Sequence, residues 1–286
     1  MRVEMGEEQL SKLEHRLKRV DHLPLSSYRD GCIKRRLTSR IRNLGLHSLS
    51  QYLDLLDQDP VEAKKLIDAL TVSVTSFFRD PETFALISKK IAPELLRHVK
   101  KNGTEARVWS AGCSTGEEAY SLAITFLEAA PEFAERRRLR IWATDIDEQA
   151  VARAEKGNYP KERLGNLKTA QIEKYFTKNP DGFQVRPELK ALIDFRRENL
   201  LASGFSGFES MDLIMCRNLL IYLEKEVQNR VLGNFERSLR NNGYLILGKT
   251  EFMGEPYRSR FEHISPTERV YKKVGRELIA DAGGIR

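Results

Sequence analysis

A chain of 286 residues, 41% hydrophobic and 31% charged, can bury the core of a full α/β domain and still hold a smaller partner. It contains no run of about 18 apolar residues and opens on a charged, amphipathic stretch, which argues against a membrane span or a secretory leader and makes the cytoplasm the default location. A net charge of +7 admits an acidic partner, and the widely spaced Cys32, Cys113 and Cys216 suggest neither a disulfide framework nor a zinc site.

Residues 1 to about 75 read as all-helical. Leu10, Leu13, Leu17 and Val20 predict a helix over 9–20, broken by Pro24. A second helix over 28–44 places Ile33, Leu37, Ile41 and Leu44 on one face, with Gly45 at its C-terminal stop. Residues 48–56 and 60–70 read as two more helices, the first opened by serines and the second by Pro60. Between Tyr28 and Gly45, six basic residues face one acid, Asp30. They fit a solvated face with apolar stems, and equally a docking surface for an acidic partner. No aromatics are interleaved, which weighs against single-stranded nucleic acid.

The run Thr71 to Asp80, TVSVTSFFRD, is rich in β-branched and hydroxyl residues. Phe77 and Phe78 suit a core or a pocket wall. Arg79 suits a ligand, or a structural pair with Asp80 or Glu82. A helix follows over 81–99, closed by Asn102-Gly103.

The chain is organised around Arg107 to Ala123, RVWSAGCSTGEEAYSLA. An apolar strand, a turn holding Gly112 and Gly116, and a helix start form the nucleotide-binding opening of a doubly wound sheet. Glu117 and Glu118 at the helix start would repel a pyrophosphate but suit an ammonium group or sugar hydroxyls, which favours S-adenosylmethionine over NAD. Leu139 to Thr144 reads as the second strand. It ends at Asp145, placed to accept from ribose hydroxyls, while Asp147 suits a helix N-cap.

Residues up to about 195 are too long for a simple crossover, so they read as an insertion, with a small hairpin around Pro187. A third strand over 195–199 ends at Asn199-Leu200, and Met211 to Cys216 is a continuous apolar strand leading to Arg217-Asn218. A helix over 224–239, a turn at Asn241-Asn242-Gly243, a fifth strand over 244–248 and an antiparallel pair over 261–264 and 269–273 complete the sheet. The last dozen residues are expected to be disordered.

Polar groups at Gly112, Asp145, Asn199 and Arg217-Asn218 therefore share the carboxyl edge of one sheet, where open α/β folds bind ligands. Their order fits an S-adenosylmethionine-dependent methyltransferase. On TVSVTSFFRD, VWSAGCSTGEEAYSLA, ATDID, ENLL, MCRNLLIYL and NGYLILGKTE, the chain resembles the chemotaxis receptor glutamate O-methyltransferases, CheR, from about Gln9 to Lys273.

The resemblance implies a Rossmann-like methyltransferase core over 76–275, preceded by a helical receptor-docking domain over 1–75. It also implies an inserted β-subdomain at about 158–195 and a tail over 276–286. By the same resemblance, Ser73, Thr75, Arg79, Glu117, Asp145, Asn199, Leu200, Arg217 and Asn218 contact S-adenosylmethionine, and Arg79 and Tyr222 lie closest to the transferred methyl. Arg36, Arg40 and Arg42 dock methyl-accepting chemoreceptor domains, whose glutamates become methyl esters, with S-adenosylhomocysteine as co-product. The family usually has Asn where Ser73 stands and GHSE where this chain has Gly248-Lys249-Thr250-Glu251. Competing readings are a methyltransferase of another protein or a small acid, and a non-catalytic cofactor-binding module. A nucleic-acid methyltransferase is disfavoured, because no N-P-P-Y-like motif follows the fourth strand.

Overall fold

The computed structural model describes residues 6–17, 24–70, 75–133, 138–202 and 208–274. Ser73 and the expected tail lie outside them. The chain divides into two compact units, and the division is not a single cut: Ile221–Gln228 belongs with the N-terminal residues.

The first unit is helical: α1 (Glu7–Leu17), α2 (Asp30–Asn43), α3 (Leu49–Gln58) and α4 (Pro60–Leu70). Apolar residues at helical spacing form its core, with Leu13, Leu17, Leu37, Ile41 and Leu66 fully buried. Ser48 caps α3, its hydroxyl accepting from Gln51 N, and Gly45 ends α2 at φ 69°. Leu44, expected on the buried stripe of α2, is its exposed C-cap instead. Helix α2 also starts later than its apolar spacing suggested. Tyr28 is extended and bridges Leu223, Arg29 N donates to Tyr222 O at 2.8 Å, and Glu224 N donates to Ser27 O at 3.0 Å.

In the second unit, α5 (Pro81–Leu86) runs through a π-helical turn at Ile87–Ile91 into α6 (Ala92–Asn102). Pro93 has no N–H to continue the ladder, and Ala92 N donates five residues back to Ile87 O. The chain continues through β1 (Ala106–Ala111), α7 (Glu117–Ala129), β2 (Leu139–Asp145), α8 (Glu148–Lys156) and β3 (Asn158–Tyr159). Then come α9 (Thr169–Tyr175), β4 (Phe176–Asn179), β5 (Gly182–Val185), the one-turn α10 (Pro187–Lys190) and β6 (Ile193–Arg197). Last are β7 (Met211–Cys216), α11 (Lys225–Ser238, whose first residues lie in the helical unit), β8 (Leu239–Leu247), β9 (Phe261–Ser265) and β10 (Val270–Lys273).

The main sheet has the order β6-β2-β1-β7-β8-β10-β9. Its first five strands are parallel and its last two pair antiparallel. Every residue of β7 is buried, the pattern of a parallel strand covered on both faces. The strand order reverses beside β1, which opens the crevice where doubly wound sheets take ligands.

A second sheet, β3-β5-β4, fills the expected insertion. Its hairpin turns at Pro180-Asp181, not around Pro187, which opens α10. Proline's fixed φ and missing N–H suit that first helical position. Likewise Asn241-Asn242-Gly243 lies within β8 as an irregular stretch, with Asn242 at φ 62° and the β7–β8 register shifting beside it. Among the described residues, no helix is long and apolar enough to cross a membrane.

Candidate functional site

The carboxyl ends of five strands are joined by hydrogen bonds. After β1 the backbone turns at Gly112 (φ 80°), Ser114 (φ 50°) and Gly116 (φ 93°). Gly112 N and Cys113 N both donate to Thr144 O, at 2.8 and 2.9 Å, which pins this turn to the end of β2. A Cβ at Gly116 would come within 2.7 Å of Ala154 Cβ, so that glycine serves the packing of α7 on α8 as well as the turn.

Asp145 accepts from Ser114 N at 2.8 Å on one carboxylate oxygen and from Asp147 N at 3.0 Å on the other. Burial raises its pKa, and those backbone donors act against the rise. Asp147 is the N-cap of α8, accepting from Gln149 N and Ala150 N. Glu198 N donates to Asp145 O at 2.9 Å, so the half-buried Asn199 and buried Leu200 follow beside the same acid. Asn199 Oδ1 accepts from Leu201 N at 2.9 Å.

The two glutamates at the start of α7 have different surroundings. Glu117 is fully buried; Thr115 Oγ1 donates to it at 2.7 Å and Arg163 pairs with it at 3.4 Å. Arg163 also donates to Thr75 O at 3.1 Å. Glu118 keeps 13% of its side chain exposed and accepts from Ser110 Oγ at 2.7 Å. Burial raises its pKa to about 7, against the pull of Arg217 and Arg79. The resemblance singled out Glu117, yet of the pair Glu118 retains surface; adjacent acids at a helix start give no signal to separate them.

Beyond β7, the Arg217 side chain is only 2% exposed and lies between Asp80, to which it donates, and Glu118, 3.7 Å away. Asp80, one of the two acids the sequence offered to Arg79, accepts from Arg217. Asn218, at φ 59°, donates its backbone N–H to Glu251 Oε2 at 3.0 Å, and Gly248 N donates to the same oxygen at 2.6 Å. Glu251 therefore ties the ends of β7 and β8 together. It was absent from the expected site, although it closes the GKTE motif on which the resemblance partly rests.

Thr75, Arg79, Glu117, Asp145, Asn199, Leu200, Arg217 and Asn218 all fall in this second unit. Arg36, Arg40, Arg42 and Tyr222 fall in the helical unit, where two arginines of α2 are internally engaged. Arg36 donates to Leu70 O and stacks over the Tyr222 ring, 5.1 Å from its centroid. Arg40 makes a two-pronged pair with Glu62, at 2.8 and 2.6 Å, and Tyr52 OH donates to the same carboxylate at 2.8 Å. Arg42 is exposed.

The turn suits a cofactor rich in hydroxyl and amino groups. Ser114 Oγ is buried without a hydrogen-bond partner among the described residues, and both oxygens of Asp145 accept from backbone N–H groups at the turn.

The chain matches the family profile described as CheR methyltransferase, SAM binding domain, over residues 73–270, and that described as CheR methyltransferase, all-alpha domain, over residues 8–71. It is 37% identical over 233 residues to a chemotaxis protein methyltransferase of Klebsiella aerogenes, covering 79% of this chain and 77% of that one. It is 35% identical over 248 residues to chemotaxis protein methyltransferase 2 of Pseudomonas aeruginosa, covering 85% and 86%. A Rhodobacter capsulatus protein of 104.1 kDa is 35% identical over 247 residues, covering 86% of this chain and 26% of that protein, so this chain spans about a quarter of that relative's length.

Proposed function

This chain belongs to the CheR methyltransferase family, and from that premise we propose that it methylates glutamate side-chain carboxylates of chemoreceptor signalling domains. The products are glutamate methyl esters and S-adenosylhomocysteine, and the output is adaptation in chemotaxis. The observation that carries the reading is the match of both family domains, in order, across residues 8–270.

S-adenosylmethionine supplies a methyl group on a positively charged sulfur that leaves as a neutral thioether. In our reading Asp145 would hold the ribose hydroxyls, Asn199 and Leu200 would border the adenine, and Ser73, Thr75, Glu117, Arg217 and Asn218 would complete the cofactor's surroundings. The acceptor carboxylate, with an ordinary pKa of about 4.3, is already ionised at neutral pH and needs no general base. The work left to the protein is to hold the acceptor oxygen in line, about 3 Å from the methyl, and to exclude water. We assign that positioning to Arg79 and Tyr222. An arginine locked onto the acceptor would quench its nucleophilicity, so Arg79 acts by orienting the cofactor.

The test is incubation of the full chain with methyl-labelled S-adenosylmethionine and receptor signalling domains, followed by alkaline hydrolysis. Label released as methanol supports the reading. Alkali-stable label, or label only on another protein or a small acid, overturns the glutamate-ester assignment. Cofactor binding with no transfer to any acceptor would favour the non-catalytic alternative.

A further inference from the structure

Three carboxylates from separate parts of the second unit converge on one ammonium group. Lys249 Nζ lies 3.3 Å from Glu268 Oε1, 3.6 Å from Glu82 Oε2 and 3.9 Å from Asp80 Oδ1. Glu268 lies between β9 and β10, Glu82 in the first turn of α5, and Asp80 ends the turn that carries Arg79.

That turn is strained. Both neighbours of Arg79 are left-handed, Phe78 at φ 48° and Asp80 at φ 59°, a region that bulky side chains rarely adopt. Such backbone persists only where its surroundings over-determine it, and the holding groups are visible. Ser121 Oγ accepts from Phe78 N, and Asn166 Nδ2 donates to Phe77 O, both at 2.9 Å. The Phe77 ring is fully buried, edge-on to Tyr159 and Phe176.

At the far side of Arg79, the Asp80 carboxylate is shared. Arg217 takes Oδ2, while Lys249 faces Oδ1. Lys249 is itself held: Arg269 Nε donates to its carbonyl at 3.1 Å, and Thr83 Oγ1 fixes Glu268 at 2.7 Å. Without the ammonium, Asp80, Glu82 and Glu268 would lose the cation that all three face.

We propose that Lys249 is a positioning residue for methyl transfer: it clamps Asp80 from the outer side and thereby fixes the direction of Arg79. This rests on the role assigned to Arg79 above. In this role the lysine acts through the turn.

The experiment combines hydrogen exchange with a double-mutant cycle on the full chain. Lys249→Met should raise amide exchange of residues 77–82 by about tenfold, and lower single-turnover methyl transfer to receptor domains by about tenfold, with Lys249→Arg restoring both. In an Arg79→Ala background, Lys249→Met should cost nothing further, because the residue it positions is gone. Unchanged exchange in the turn, or the same fold-loss of transfer in both backgrounds, overturns the proposal. If the wild-type chain labels no receptor domain, the proposed reaction fails, and the exchange of residues 77–82 then decides the clamp on its own.

Discussion

Each unit contains a buried arginine–carboxylate cluster, and the two clusters are satisfied to different degrees. In the helical unit, Glu62 is 3% exposed on its side chain and receives both prongs of Arg40 and the Tyr52 hydroxyl. Burial works to raise its pKa, but the hydrogen bonds from Arg40 and Tyr52 outweigh it and leave the carboxyl below its ordinary value. In the second unit, Arg217 is divided between Asp80 and Glu118; burial wins at Glu118, whose pKa rises to about 7. A closed network of the first kind is a fixed joint. An under-served carboxyl of the second kind, beside left-handed backbone at the ends of parallel strands, is what a functional site looks like.

If that contrast is right, substitutions at the second cluster should act on chemistry and those at the first on stability. Arg79→Ala should lower methyl transfer by about a thousandfold, comparable with removing a group that stabilises transition-state charge. Near wild-type turnover in a single-turnover assay would remove Arg79 from the mechanism. Arg40→Ala should destabilise the fold by about 3 kcal/mol, because it strands a buried carboxylate. That loss is read by chemical denaturation, with affinity for S-adenosylhomocysteine unchanged by calorimetry.

Glu118→Gln should sharpen the contrast through pH. The native carboxyl holds its proton up to about pH 7, against an ordinary value of 4.5. Its contribution to stability is therefore full below about pH 4.5 and is lost as pH rises toward 7. Below pH 7 the neutral form also loses its attraction for a cationic ligand. Wild-type affinity for S-adenosylmethionine should thus fall several-fold, up to about tenfold, from pH 8 to pH 6. A titration in which Glu118→Gln shows the same slope assigns the dependence elsewhere. The smallest effect is expected at Arg42→Glu: a rise in KM for receptor domains of about threefold that fades at high salt, with kcat and cofactor affinity untouched.

The sheet was legible because its strands follow simple rules: an all-apolar run at Met211–Cys216, a Gly turn after β1, and acids where strands end. Asp145 and Asn199 could be placed on one edge for that reason. Charge was less legible. The five basic residues of α2 could be sorted on a helical wheel only into those flanking the apolar stripe and those facing away, and only three-dimensional partners show that Arg40 is held by Glu62 and Arg36 by Tyr222 and Leu70. Those partners lie 22 to 186 positions away, beyond any local pattern. The same limit hid Glu251, whose role depends on two backbone N–H groups that follow different strands. Proline at 187 was read as a hairpin turn because its fixed φ suits a turn and a helix start equally.

The short segment Ile221–Gln228 carries a consequence for modularity. It lies more than 150 residues beyond α4 in the sequence, yet it supplies Leu223 to the bridge with Tyr28, the Tyr222 carbonyl to Arg29 N, and the ring beneath Arg36. The helical unit is therefore not a cassette that one contiguous stretch of gene can donate or receive. A chimera exchanging only the first seventy or so residues between relatives would mate one parent's α2 with the other parent's Tyr222 and Leu223, so the two stretches must be inherited together.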